Sequence, residues 1–254
     1  MPNTGSDDKD MAATAPVQTG QHAYTSGTGR SCVNYLLFLP EDYDKEPDKQ
    51  WPLMCFLHGV AKRGDHLEEL ELLKKDGPPM LVEQQPDFPF IVLSPQCPSN
   101  SSWEHQLDKL DALLDEIVET HAVDTNRIVL TGLSMGGFGA WHLALRNPTR
   151  FAAVVPIAGG YVFGSDQVPD NICDLKDVPI WVFHGAKDEA VSPSQSQVMV
   201  NALRGCPGNV KFTLYPDAAH DHSWKLAYSD PELYEWLLQQ TLRPRPIAAH
   251  LRPG

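Results

Sequence analysis

No stretch of the 254 residues approaches the roughly 20 consecutive apolar positions that a membrane-spanning helix needs. Basic residues are few: 20 Lys and Arg stand against 33 Asp and Glu, a formal net charge of −13. A field of that sign repels phosphate backbones and anionic lipid, so neither nucleic-acid binding nor membrane insertion is expected. Cysteine is also sparse. Cys32, Cys55, Cys97, Cys173 and Cys206 are scattered and odd in number, and no C-x-x-C occurs. A zinc ribbon or a redox motif is therefore unsupported, and free or buried thiols are expected, with one bridge left open. Neither a P-loop nor a dinucleotide glycine fingerprint is found, so no cofactor is expected. Residues 1–19 lack a basic stretch followed by an apolar one. That pattern predicts a cytoplasmic protein, or a secreted one if a leader has been removed.

What remains is ordinary globular material, 42% hydrophobic and 21% charged, in a length that an α/β fold can occupy as one domain. Residues 1–29, rich in Gly, Ser, Thr, Asp and Ala, read as a flexible arm, and residues 242–254 as a flexible tail. The domain lies between, over 30–241. Short apolar runs at 33–39, 52–57, 90–94, 127–130, 151–157, 179–183 and 210–215 read as strands. Between them, 66–75, 107–118, 135–146, 194–203 and 231–238 read as helices, the first ended by Gly77-Pro78-Pro79. Continuous apolar strands alternating with amphipathic helices imply a mostly parallel sheet covered on both faces. Residues 159–178 lack strong periodicity and read as a lid-like or pocket-wall loop, too short for a separate cap domain.

The strongest chemical signal is Gly132-Leu133-Ser134-Met135-Gly136, directly after the strand RIVL and opening a helix. Such a turn thrusts a serine hydroxyl outward, and glycines two residues either side let neighbouring backbone pass. A serine is a weak nucleophile unless a base and an orienting acid follow it. Asp188, just beyond the strand PIWVFHG, suits the acid, with Glu189 as substitute. The loop after VKFTLY offers His220 and His222 as the base; His220 is favoured and His222 stays open. A metal site at His220-Asp221-His222 lacks further ligands at suitable spacing. Backbone N–H groups of Val60, in the turn after PLMCFL, and Met135 suit an oxyanion hole. His58, His66, His105, His121, His142 and His184 read as structural or surface histidines. Trp141, Trp181 and Trp236 read as core, and Asp124 and Arg127 as fixing the turn into their strand.

Five segments carry a family resemblance: LHGVAKRGD; SPQCP followed by Trp103; VDTNRIVLTGLSMGGFGAWHLALRNPTRFAAVVPIAGG; FHGAKDEAV; and YPDAAHDHSW with YSDPELYEWLL. Over roughly residues 30–240 the chain resembles the α/β-hydrolase superfamily. Within it, the chain is similar to the predicted-peptidase and phospholipase/carboxylesterase-like group related to polyhydroxybutyrate depolymerases and feruloyl esterases. The resemblance implies an α/β-hydrolase fold without a large cap domain. It also implies Ser134 as nucleophile, Asp188 as acid, His220 as base, Val60 and Met135 at the oxyanion, and Trp103 and Gln96 near the pocket. A serine carboxylesterase acting on small short-chain or aryl esters follows as the expected activity. A feruloyl or acetyl-polysaccharide esterase, a polyester depolymerase and a serine peptidase are the alternatives on the same residues, and a binding module is the least favoured. Two departures stand out. The group commonly places Trp three positions after its base, whereas three residues separate His220 from Trp224. Lys62 stands where an acidic residue is frequent before the Arg-Gly pair.

Overall fold

The computed structural model describes residues 18–27 and 32–242. Eight strands form one sheet: β1 Gly20–Ser26, β2 Val33–Leu39, β3 Trp51–Leu57, β4 Ile91–Pro95, β5 Val123–Leu133, β6 Ala153–Ile157, β7 Ile180–Gly185 and β8 Val210–Tyr215. Their spatial order is β1-β2-β4-β3-β5-β6-β7-β8. β1 and β2 run antiparallel to their neighbours, and the pairs from β4 through β8 are parallel. The helices are α1 Gly77–Val82, α2 Leu107–Thr120, α3 Met135–Arg146, α4 Pro193–Gly205, α5 His220–Tyr228 and α6 Pro231–Leu238.

β3, β4, β6 and β7 are buried at every position because both faces are covered, and β3 and β6 are apolar throughout. In β3, Leu53, Cys55 and Leu57 enter the cluster that α2, α3 and α4 complete with Leu113, Trp141 and Met199. Met54 and Phe56 point the other way, into the cluster completed by Val82 of α1, Tyr228 of α5 and Leu237 of α6. The mostly parallel sheet with helices on both faces is thus present as expected. The chain reverses its direction of travel across the sheet at β3, between β4 and β5. Ligands in such sheets bind at a switch point of this kind, beyond the carboxyl ends of the strands.

Four expectations change. Residues 20–26, assigned to the flexible arm, form β1 and pair with β2 from Gly20↔Leu39 to Ser26↔Val33; the alternating polar strand GQHAYTS suits a sheet edge. Residues 1–17 and 28–29 of that arm, and the tail beyond residue 242, lie outside the described residues. Leu67–Lys75 is a 3-10 helix, and Gly77-Pro78-Pro79 opens α1 instead of ending what precedes it, because Pro is tolerated in a first turn. The segment expected as a loop after β8 becomes α5 from His220 onward. Cys173 and Cys206 are joined by a disulfide, so two of the five cysteines are not free thiols.

Candidate functional site

Ser134 follows β5 and caps α3 with φ 54° and ψ −119°. Few non-glycine residues occupy that region, and the surroundings must hold one there. They do so partly through the Ser134 N–H, which donates to the Ile157 carbonyl at 2.9 Å. Close backbone approach explains the flanking glycines. A Cβ on Gly132 would stand 2.2 Å from the Gly136 carbonyl oxygen, and one on Gly136 would stand 1.8 Å from that of Leu57. Met135 is the first residue of α3, so its N–H has no partner within the helix.

The three side chains expected to act together meet at the carboxyl edge of the sheet. His220 Nε2 lies 2.9 Å from Ser134 Oγ, and His220 Nδ1 lies 2.6 Å from Asp188 Oδ2. The Asp188 carboxylate is fully buried. Its Oδ1 accepts from the N–H groups of Ala190 and Val191, at 3.0 and 2.9 Å. A carboxylate only accepts, so the shared proton sits on His220 Nδ1 and Nε2 is left free to accept from the serine. His222 does not take part. Its ring is 63% exposed, beside Asp221 at 3.9 Å. The altered Trp spacing has a helical explanation: His220 and Trp224 are four apart on α5, hence on one face, with ring centroids 5.0 Å apart and edge-on. Among the described residues no group of three or more His, Cys, Asp and Glu could hold a metal ion.

The turn after β3 is held by side chains at four of its carbonyls. Trp103 Nε1 donates to the His58 carbonyl at 2.9 Å, and His58 Nδ1 donates to that of Gly59 at 2.7 Å. Arg63 Nε reaches the Val60 carbonyl at 3.2 Å, and Gln96 Nε2 the Lys62 carbonyl at 3.2 Å. His58 Nε2 accepts from the Cys97 N–H at 3.0 Å, which fixes its tautomer. Burial pushes the His58 pKa down to about 4, so the ring is neutral. In a trans peptide C=O and N–H point opposite ways. With the Gly59 carbonyl turned toward His58, the Val60 N–H therefore faces the other side.

Trp103 and Gln96 thus sit behind this turn. Both are buried, and neither borders the cavities at Ser134. Their side chains support the backbone of the turn from behind, a placement that a loop sequence does not reveal.

Two cavities meet at Ser134. The larger, about 550 Å³, is walled by Met135, Phe138, His142, Tyr161 and Phe163, with Arg63 and Glu104 at its polar side. The smaller, about 180 Å³, lies between Phe56, Leu73, His220 and Trp224. Lys62 closes one side of it through an ion pair with Asp76 at 2.9 Å, so lysine at that position finds its own partner. Val60 borders both cavities. Two histidines read as structural or surface gain a place here. His142 borders the larger cavity, its ring stacked on Tyr161 at 4.5 Å. His184, on β7, touches Asp188. The contribution of Tyr161 and Phe163 had only their position in an aperiodic segment to announce it.

Residues 88–226 match the model of a phospholipase/carboxylesterase family. The chain is 26% identical over 58% of its length to a bifunctional acetylxylan esterase/xylanase of Neocallimastix patriciarum. It is 28% identical over 68% of its length to a probable feruloyl esterase C of Aspergillus terreus. A crystal structure of a thermostable esterase superposes with a TM-score of 0.73 at 32% identity over 87% of this chain. The chain spans 21%, 62% and 63% of those three proteins, respectively.

Proposed function

Because the chain belongs to the phospholipase/carboxylesterase family of α/β-hydrolases, we propose that it is a serine carboxylesterase working through an acyl-enzyme on Ser134. The observation that carries this reading is the relay of 2.9 and 2.6 Å contacts from Ser134 through His220 to Asp188. In the proposed reaction His220 Nε2 takes the hydroxyl proton as Oγ bonds to the ester carbonyl carbon. The N–H groups of Val60 and Met135 receive the developing oxyanion. The C–O bond to the alcohol then breaks, and His220 returns its proton to the departing oxygen. Water repeats the sequence to release the acid and free serine.

The two cavities acquire roles from this proton path. The departing oxygen must come within hydrogen-bond reach of His220 Nε2. His220 borders only the smaller cavity, so the alcohol leaves on that side and the acyl group occupies the larger one. Aromatic walls there favour an aryl or short apolar acyl group, and the feruloyl and acetylxylan esterases among the relatives are in keeping with that choice.

The test is Ser134→Ala assayed on p-nitrophenyl acetate and on an ester with an aryl-bearing acyl group such as methyl cinnamate. A loss of at least about 10³-fold in kcat on both is expected. Wild-type-like turnover in the variant would overturn the proposal. A wild type that ignores the aryl ester would overturn the assignment of the larger cavity.

A further inference from the structure

Asp188 carries two imidazoles. Its Oδ2 lies 2.6 Å from His220 Nδ1 and 3.2 Å from His184 Nε2. His184 is fully buried near the end of β7. The same Nε2 lies 3.0 Å from the Val191 carbonyl. Its Nδ1 lies 2.7 Å from Ser196 Oγ of α4, and that hydroxyl lies 2.7 Å from the Gly159 carbonyl.

Proton counting assigns the ring. A carboxylate and a carbonyl both only accept, so Nε2 must carry a hydrogen; a bare nitrogen would set its lone pair against two oxygen acceptors. We infer that His184 is a positioning residue for the proposed relay, donating its Nε2–H to Asp188 Oδ2 and the Val191 carbonyl. There it fixes the carboxylate's rotamer and shares its charge with His220. The inference rests on the esterase reading for its consequence in catalysis, though its hydrogen-bond assignment does not.

The relay continues beyond the ring. With a neutral imidazole, Nε2 donates to Asp188 and Nδ1 accepts the Ser196 proton. The single Ser196 hydrogen then serves two acceptors, the bare Nδ1 and the Gly159 carbonyl. Protonating the ring supplies a second hydrogen: Nδ1–H donates to Ser196, and Ser196 donates to Gly159. Gly159 packs on Gly137 of α3, where an added Cβ would meet the Gly137 backbone at 2.7 Å. The chain of contacts therefore runs from the acid back to the helix that Ser134 opens.

Asp188 and His220 are the titratable groups acting on this ring. Ser196 from α4, Leu214 opposite it on β8 and Gly159 after β6 bring no charge. Burial holds the His184 pKa below the ordinary histidine value, so the ring is neutral at neutral pH, and the two acceptors facing Nε2 put its one hydrogen there.

The donor's effect on His220 has a definite sign. An N–H on Oδ2 offsets part of the carboxylate charge, and so reduces the pull that Asp188 exerts on a proton at His220. In His184→Leu the carboxylate acts on His220 alone. The acid limb of the kcat/KM profile should then move to higher pH by about half to one unit, with kcat lowered roughly tenfold by the loosened carboxylate. His184→Gln, which restores an N–H near Nε2, should return the limb toward its wild-type position. A folded Leu variant with an unmoved limb, or Leu and Gln variants with equal shifts, would overturn the inference. A second measurement does not depend on the Leu variant folding. Long-range 15N–1H correlation on the full wild-type chain at about pH 8 should give a His184 ring protonated at Nε2 and bare at Nδ1; the opposite tautomer would overturn the inference. An inactive wild type would defeat the esterase reading, while this spectrum would still decide the hydrogen-bond assignment.

Discussion

Val60 and Arg63, in the turn at residues 58–63, border the same cavity beside Ser134 as Tyr161, Val162 and Phe163, yet the two segments are held there differently. In the first segment the carbonyls of His58, Gly59, Val60 and Lys62 each accept a side-chain hydrogen bond. In the second, among the described residues, only the Tyr161 carbonyl meets a side chain, His142 Nε2; the Val162 carbonyl accepts from the Ser165 N–H, and the Gly164 N–H donates to Gln195. Val162 is 39% exposed and Phe163 is 71% exposed. A segment that must present backbone N–H groups in one orientation needs its carbonyls fixed. A wall that only offers apolar surface needs its side chains in place and little more. Geometry is thus concentrated where charge is proposed to develop, and adaptability where the acyl group is proposed to rest.

Breaking the support of the first segment should produce the largest effect. Trp103 is buried against Gly139 and edge-on to His58 at 4.9 Å. Trp103→Ala should cost about 3–5 kcal/mol in denaturant unfolding, from the lost ring and the His58 carbonyl left unpaired. It should also lower kcat in whatever fraction remains folded. A cost below about 1 kcal/mol would remove the basis of the contrast.

Acid should sharpen it next. His58 has a folded pKa of about 4 against an ordinary 6.5, so the unfolded chain binds a proton that the folded chain resists. Stability therefore rises with pH across that window and falls as the solution is acidified from about pH 6.5 toward 4. The full effect is about 3 kcal/mol. Urea unfolding followed between those pH values checks it, and His58→Gln should flatten that part of the profile. The smallest effect is expected at the second segment. Phe163→Ala should leave stability within about 0.5 kcal/mol of wild type and raise KM for the aryl ester several-fold at little change in kcat. A large loss of stability there would show the two segments to be built alike.

The parts of this molecule that were legible in its sequence are those where one physical demand fixes the residue pattern. Strands covered on both faces are largely apolar, so β3, β4, β6, β7 and the buried part of β5 could be read directly. A serine in a strained turn needs small neighbours, so Gly132 and Gly136 announced Ser134. Illegible parts depend on partners distant in sequence. GQHAYTS has no apolar run, and β2 makes it a strand. HDHSWKLAY has a weak helical pattern, and it begins its helix at the residue that meets Asp188. Trp103, Gln96 and His184 were visible as residue types, but their roles follow from which side of a loop or strand each one takes.

The Cys173–Cys206 bond ties the turn at Ile172–Leu175 to the residue that ends α4. In the chain-entropy account, a crosslink between positions 33 apart withholds roughly 3–4 kcal/mol of freedom from the unfolded chain. That contribution exists only where the two sulfurs remain oxidised. The durability of the domain is therefore set partly by the reductants dissolved around it. Two batches of identical chain, one bridged and one reduced, should survive heating for different times while presenting the same arrangement at Ser134.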